Sequence, residues 1–331
     1  MIELSIIIPV YNVEEYIRPC MESIFRQGIN EDTFEVIIVN DGTTDHSMEV
    51  IADIIQQHNN ITVINQENLG LSVVRNNGIA KARGEYILMP DSDDLLIENS
   101  LKPLLKKAIQ SQADLVVADF LTMTDEEIKS SQSIPQKDFI ISEKSGEQLF
   151  LEDLSPYACF VWRTLYRKEF LNNNHLTFYT GIRFQDIPFT HECYLKANKC
   201  LRASWLLNIY RKWPGASTCS FNVNKAKDFC IAIAKTWDLN QLELSPAIRS
   251  KLQNDLWIHF SVMTRQSCRD IHKYSERISV IDCLKKEAPT LSFQNGVKQK
   301  AVTFLYKYMP HTFIRLRYLY NILIEDRFRS F

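Results

Sequence analysis

The strongest constraint on the fold is an alternation that repeats through roughly the first 120 residues: a short β-branched apolar run, a polar loop, then a segment with helical spacing. The runs are Leu4–Val10 (LSIIIPV), Phe34–Val39, Ile61–Ile64, Tyr86–Met89 and Leu115–Val117. Unbroken apolar character suits strands of a parallel sheet covered on both faces, since a half-solvated strand would alternate with polar residues. Between the runs, Val13–Phe25 (apolar at Val13, Ile17, Met21 and Ile24), Met48–Ile55, Ser72–Ala82 and Asn99–Ile109 read as helices, with Gly84 ending the third. The expected fold is α/β, a Rossmann-like, mostly parallel sheet flanked by helices.

In such sheets ligands bind beyond the carboxyl ends of the strands, so functional side chains should follow each strand directly. They do. Tyr11-Asn12 follows the first, Asn40-Asp41-Gly42 the second, Glu67-Asn68-Leu69-Gly70 the third and Asp91-Ser92-Asp93-Asp94 the fourth. One polar loop carries little information, whereas four at the same end of one sheet describe one crevice.

Three carboxylates in four residues repel one another, which favours a bound cation or a raised pKa. Mg²⁺ and Mn²⁺ take oxygen ligands and often bind through one or two carboxylates plus substrate phosphates. The plain alternative is an acidic cap on a following helix. Tyr11 can stack on a base or be a half-buried core aromatic. Asp41, in Asp41-Gly42-Thr43-Thr44-Asp45, can accept from a base N–H or belong to a helix-capping turn. Arg75 can meet base or phosphate, or form a surface ion pair.

The order Pro9-Val10-Tyr11-Asn12, Val39-Asn40-Asp41-Gly42-Thr43-Thr44-Asp45, Glu67-Asn68-Leu69-Gly70 with Arg75-Asn76, and Asp91-Ser92-Asp93-Asp94 resembles family 2 of the inverting glycosyltransferases. The resemblance is dense from Pro9 to about Asp94 and thinner to about Trp213. It implies a GT-A fold, a nucleotide-diphosphate sugar donor (UDP first among carriers), and Mn²⁺ or Mg²⁺ as cofactor. By motif position, donor contacts fall on Pro9, Val10, Tyr11, Asn12, Asp41, Asn68, Arg75, Asp91, Ser92 and Asp93. Tyr11 would face the base, Asp41 and Arg75 would bind it, and Asp91 with Asp93 would hold the metal. Asp94 would face the acceptor.

Farther along, Val161-Trp162-Arg163-Thr164-Leu165-Tyr166 resembles a family segment that often carries Asn-Lys where this chain has Arg163-Thr164. Gln185-Asp186 resembles the family's Glu-Asp motif, whose Asp is the general base, with Gln185 replacing the Glu. Asp186 is the expected catalytic base, and the alternative is a helix N-cap before Pro188. Arg211 and Lys212 stand where related enzymes place groups near the diphosphate. Otherwise they are exposed strand residues.

Composition is that of an ordinary globular chain, 45% hydrophobic and 24% charged over 331 residues, with net charge −2. The charge is uneven: residues 225–331 carry 18 Lys and Arg against 10 Asp and Glu, and residues 1–224 carry 20 against 30. A basic tail suits an anionic partner such as a membrane surface, or is a solvated helix face. Residues 122–145 read as a polar, exposed excursion. From about Lys225 the pattern is helical, punctuated by Pro246, Pro289 and Pro310. The expected organisation is a catalytic domain over 1–224, with a nucleotide-sugar half to about 120 and an acceptor half after it, then a helical extension over 225–331.

The eight cysteines are scattered without a C-x-x-C pair, so reduced, mostly buried thiols are expected. No signal-peptide pattern opens the chain and no apolar run approaches the roughly 20 residues of a membrane span. A cytoplasmic enzyme of bacterial surface-polysaccharide assembly is the expectation, with a glycan or lipid-linked acceptor and no nucleic-acid partner. In the last segment, Leu316, Leu319 and Leu323 recur at helical spacing beside Arg315 and Arg317. The final helix of a packed bundle is preferred over an interfacial helix on the inner membrane face, because its polar face holds few cations.

Three rivals were weighed. A sugar nucleotidyltransferase would need a Gly-rich loop after the first strand, where this chain has Val10-Tyr11-Asn12-Val13. A non-catalytic glycan- or nucleotide-sugar-binding module is supported only by Gln185. A metal adhesion site around Asp41–Asp45 would leave the other loops unexplained.

Overall fold

A computed structural model describes residues 1–131, 134–136, 138–213 and 221–329. The chain divides into two compact units: residues 1–152, 160–181 and 193–216 form one, and residues 153–159, 182–192 and 217–331 the other.

The first unit is built on a nine-stranded sheet: β1 (Leu4–Val10), β2 (Phe34–Asp41), β3 (Ile61–Gln66), β4 (Tyr86–Leu88), β5 (Leu95–Leu96), β6 (Leu115–Thr124), β7 (Ile140–Lys144), β8 (Thr164–Arg167) and β9 (Cys200–Lys212). The order is β3-β2-β1-β4-β8-β6-β9-β5, with β7 also paired to β9. The pairs β3-β2, β2-β1, β1-β4 and β6-β9 are parallel, while β8, β5 and β7 run against their neighbours. The mostly parallel α/β sheet expected from the sequence is therefore present, with three antiparallel insertions.

The helices on this sheet are α1 (Ile17–Phe25), α2 (Ala52–Gln57), α3 (Leu71–Lys81), α4 (Leu101–Ser111), α5 (Asp125–Ser130), α6 (Gly146–Glu152) and α7 (Lys168–Asn173). Strand β1 shows why its sequence is almost wholly apolar. Leu4, Ile6, Ile8 and Val10 join a core cluster with Ile17, Met21 and Ile24 of α1 and Leu101, Leu104 and Leu105 of α4. Ile7 points the other way, towards α3, where a Cβ on Gly78 would lie 2.3 Å from Ile7 Cγ2. Only a glycine lets α3 approach the strand so closely.

Two helices begin later than their apolar spacing predicts. The backbone N–H groups of Val13 and Glu14 donate to Ser47 Oγ (2.9 Å) and Asp45 Oδ2 (3.0 Å), so this stretch forms turns tied to the next loop. Residues 48–51 likewise run as turns before α2. The polar stretch 122–145 is largely exposed, as expected, and carries regular structure. Strand β6 runs on to Thr124, a Thr124/Glu127 capping box starts α5, and β7 pairs with β9. No residue of α5 is buried and β7 is largely exposed, so neither element needs an apolar period that a sequence could display. Gln132 and Ser133 lie outside the described residues.

Helix α8 (Asp186–Lys196) follows, and α9 (Val223–Asp238), α10 (Pro246–Asp270), α11 (Tyr274–Glu287), α12 (Val297–Tyr308) and α13 (Pro310–Arg329) make the carboxyl-terminal part helical. Pro246 and Pro310 sit at helix starts, where a missing N–H costs nothing. Helix α13 packs against α10 through a face other than the leucine stripe. Arg317 donates to Ser261 O (2.8 Å) and Asn321 to Arg265 O (3.0 Å), with Phe313 and Ile314 buried. Leu316, Leu319 and Leu323 are more than half exposed, so α13 packs as a bundle helix without burying this stripe. No described helix is long and apolar enough to cross a membrane. None of the seven described cysteines is in a disulfide and six are buried; Cys219 lies outside the described residues.

Candidate active site

The loops after β1, β2, β3 and β4 meet within the first unit, and the polar side chains of three of them bind the loops together. Asn12 sits at φ +52°, a left-handed conformation that Asn tolerates better than most residues. Its backbone N–H donates to Thr43 Oγ1 (2.8 Å), and its Oδ1 accepts from the Thr44 N–H (3.1 Å). Asp45 gathers the same loop, accepting from Thr43 Oγ1 (2.7 Å), the Ser47 N–H (3.0 Å) and the Glu14 N–H (3.0 Å). Burial pushes the Asp45 carboxyl upward, but hydrogen bonds from Ser47, Thr43 and Glu14 outweigh it and hold the pKa down at about 2. This leaves Tyr11 at the end of β1 44% exposed, so it is not the core aromatic of the plain alternative.

Asp41 closes β2 and is 4% exposed. Its Oδ1 accepts from Gln66 Nε2 (2.7 Å) and the Leu69 N–H (2.8 Å), and its Oδ2 from the Gly70 N–H (2.9 Å). The carboxylate thus fixes the loop after β3, leaving Asn68 at its exposed tip. Gly70, at φ +88°, precedes α3 in a conformation few other residues adopt. Pro9 and Val10 lie in β1 itself, Val10 fully buried, so any ligand contact from this pair would be largely backbone.

The acidic turn lies between β4 and β5. No helix begins directly after it, since β5 follows at Leu95 and α4 only at Leu101, so the helix-cap alternative fails. Arg75, 3% exposed on α3, reaches Asp91 Oδ1 at 2.6 Å and lies 5.3 Å from the Phe178 ring centre. That is a buried ion pair rather than a surface one. Trp213 Nε1 donates to Asp93 Oδ2 (2.9 Å). Ser92 is buried. Asp94 is 1% exposed; its Oδ1 accepts from the Arg211 N–H (2.9 Å) and its Oδ2 has no hydrogen-bond partner among the described residues. Burial first, then the charges of Asp91 and Asp93, push the Asp94 pKa up to about 9.

Arg211 is 6% exposed, which corrects the alternative of an exposed strand residue. Its Nε donates to the Asp93 carbonyl (2.8 Å), its guanidinium pairs with Asp125, and it lies 5.0 Å from the Tyr16 ring centre. Lys212 is exposed. Asp125, Tyr16 and the Trp213 contact were not singled out in the sequence. Asp125 belongs to the segment that reads as a polar excursion, and nothing in its surroundings signals a partner 86 residues away.

A crowded all-oxygen donor set with one orphaned, buried carboxylate oxygen fits a hard divalent cation. Asp91 and Asp93 are the partly exposed members of the turn.

Gln185 and Asp186 belong to the second unit. Phe184 adopts φ +60° and stacks on Phe229 at 4.4 Å, and Gln185 is 5% exposed with an unpartnered Oε1. Asp186 is the first residue of α8 rather than the residue capping it, and is partly exposed. A carboxylate there lies at the positive end of the helix dipole.

A sequence model of Glycosyl transferase family 2 matches residues 5–173. Glycosyltransferase EpsJ of Bacillus subtilis (strain 168) is 36% identical over 217 residues, covering 65% of this chain and 62% of the relative. Glycosyltransferase GlyG of Streptococcus pneumoniae serotype 4 is 30% identical over 240 residues, 70% of this chain and 78% of the relative. The crystal structure of S. aureus TarS 1–349 in complex with UDP-GlcNAc superposes with a TM-score of 0.73 at 22% identity, covering 99% of this chain and 92% of that one. The match thus spans under two thirds of EpsJ, while the fold likeness to TarS runs nearly end to end. With the sheet, the four loops and the acidic turn all inside or beside the matched region, the chain belongs to glycosyl transferase family 2.

Proposed function

We propose that the protein transfers one sugar, with inversion, from a nucleotide-diphosphate donor to a hydroxyl of a glycan or lipid-linked saccharide. The observation that carries the reading is the acidic turn Asp91–Asp94, braced by buried Arg75 and Arg211 at the carboxyl ends of a parallel sheet. Tyr11 is exposed where a base can stack, and the loop held by Asp41 forms the adjoining wall. Asp91 and Asp93 would hold Mn²⁺ or Mg²⁺, which when bound supplies Lewis-acid stabilisation of the leaving diphosphate. Lys212, exposed at the end of β9, is a further candidate for diphosphate contact, and Asp94 for acceptor contact.

Asp186 is the proposed base. Its carboxylate takes the proton of the acceptor hydroxyl as that oxygen bonds to the anomeric carbon, and the bond from that carbon to the diphosphate breaks. The nucleoside diphosphate leaves with the electron pair. Gln185 can donate a hydrogen bond where a Glu could not, which would tune that base differently. The proposed division is a catalytic domain to about residue 224 followed by a helical extension, in a cytoplasmic protein.

The test is a donor panel of UDP-, GDP- and dTDP-sugars with Mn²⁺ or Mg²⁺, led by UDP-GlcNAc because TarS was crystallised with it. Nucleoside diphosphate release that depends on acceptor, with a product of opposite anomeric configuration, supports the reading. Donor binding with no turnover on any acceptor would favour the second reading, a binding module, for which the buried Gln185 is the supporting observation.

A further inference from the structure

We infer that the second unit contains a structural zinc site, formed by Cys159, His191 and His259 with Asp255 as the fourth donor. It is separate from the acidic turn and does not depend on the proposed reaction. The ligand atoms of Cys159, His191 and His259 lie within 4.8 Å of one another, and all three residues are buried, as is Asp255 at 1% exposure. They come from three places: the segment before residue 160, the second turn of α8, and successive turns of α10.

The hydrogen bonds set the chemistry of each imidazole. His191 Nδ1 lies 2.8 Å from the Ile187 carbonyl, which can only accept, so Nδ1 carries a proton; it also lies 3.9 Å from Cys159 Sγ, and Nε2 is the atom a metal would take from a neutral ring. That Nε2 lies 3.6 Å from Asp255 Oδ2, an oxygen that also accepts from Lys251 Nζ at 2.8 Å. A divalent cation between Nε2 and Oδ2 would bond to both, with Lys251 still donating to the same oxygen. The spacing is close to the roughly 3.3–3.8 Å edges of a tetrahedron with zinc bonds of about 2.0–2.3 Å. His259 is 3% exposed and its Nε2 has no hydrogen-bond partner among the described residues.

A thiolate with imidazoles selects zinc over the hard cations that suit Asp91 and Asp93. Binding converts the Cys159 thiol to thiolate and releases its proton to solvent. A buried, closed site of this kind is structural, cross-linking segments that Thr190 and Lys251 already tie through the carbonyls of Cys159 (3.2 Å) and Leu154 (2.9 Å). Because α8 begins at Asp186, the clip would also hold the turn that carries this carboxylate.

The test uses the full chain without a histidine tag. Metal analysis should find about one zinc per chain in wild type and in Asp93→Ala, and far less in Cys159→Ser and His259→Gln. Replacement by Co²⁺ should give a thiolate-to-cobalt charge-transfer band in the near ultraviolet that Cys159→Ser lacks and Asp93→Ala keeps. An all-oxygen site cannot produce that band. Wild-type protein that takes up no zinc and shows no such band on cobalt titration overturns the inference, whatever the stability of the variants. So does a band that persists in a folded Cys159→Ser protein.

Discussion

The backbone N–H of Arg211 donates to Asp94 Oδ1 at 2.9 Å, so the end of β9 holds the acidic turn that follows β4. The Arg211 side chain adds a second hold through the Asp93 carbonyl and a third through Asp125. Arg211→Ala keeps the first and removes the others, leaving Asp125 unpaired. We expect a stability loss of about 3 kcal/mol, the low end for breaking a buried pair because the Asp125 side chain is 34% exposed. Urea unfolding of wild type and variant measures it. Metal-dependent nucleotide binding should weaken in the same variant.

Asp41→Ala removes an acceptor from three donors, two of them the backbone N–H groups of Leu69 and Gly70. A buried donor left without its acceptor costs roughly 1–3 kcal/mol. The loop after β3 should loosen, with faster amide exchange at Leu69 and Gly70 and a raised nucleotide Kd. Unchanged exchange there would separate Asp41 from the loop.

Asp45 gives a pH dependence with a defined sign. Its pKa falls from an ordinary 3.8 to about 2 in the folded state, so its contribution is fully present above 3.8 and is lost as pH falls through 2. Partial exposure reduces that contribution to about 1–2 kcal/mol. Asp45→Ala should therefore be less stable than wild type at pH 7, with the gap narrowing between about pH 4 and 2. Thermal unfolding across that range checks it.

Asp186→Asn preserves the size and the position at the start of α8 while removing the proposed base. Turnover should fall by about 10²–10⁴, with nucleotide affinity unchanged. Comparable losses in both would assign Asp186 to donor binding instead.

The parts of the fold that bury apolar faces were legible in the sequence. Strand β1 reads as a fully buried parallel strand because Leu4, Ile6 and Ile8 face one helical layer and Ile7 the other. The parts that work through polar contacts across long chain distances were not. Strand β7 and helix α5 bury little, and the Asp125–Arg211 and Trp213–Asp93 contacts join residues whose neighbours give no periodic signal. The packing of α13 was legible but its face was not: the regular Leu316, Leu319 and Leu323 spacing is exposed, while Arg317 and Asn321 make contacts with α10. Within the acidic turn, Asp91 to Asp94 are legible as a carboxylate cluster, but the bracing by Arg75 and the burial of Asp94 required the fold.

Under the proposed function the acidic turn is a metal-dependent donor site. The most direct measurement is the shift in melting temperature on adding UDP, GDP or dTDP with Mn²⁺, with Mg²⁺ or with EDTA, in wild type and Asp93→Ala. A ligand that binds only the folded state at 100 times its Kd stabilises it by about 2.7 kcal/mol. The account predicts a clear upward shift with one nucleotide and a divalent cation, abolished by EDTA and absent in Asp93→Ala. An equal shift in EDTA, or one that Asp93→Ala retains in full, would contradict it.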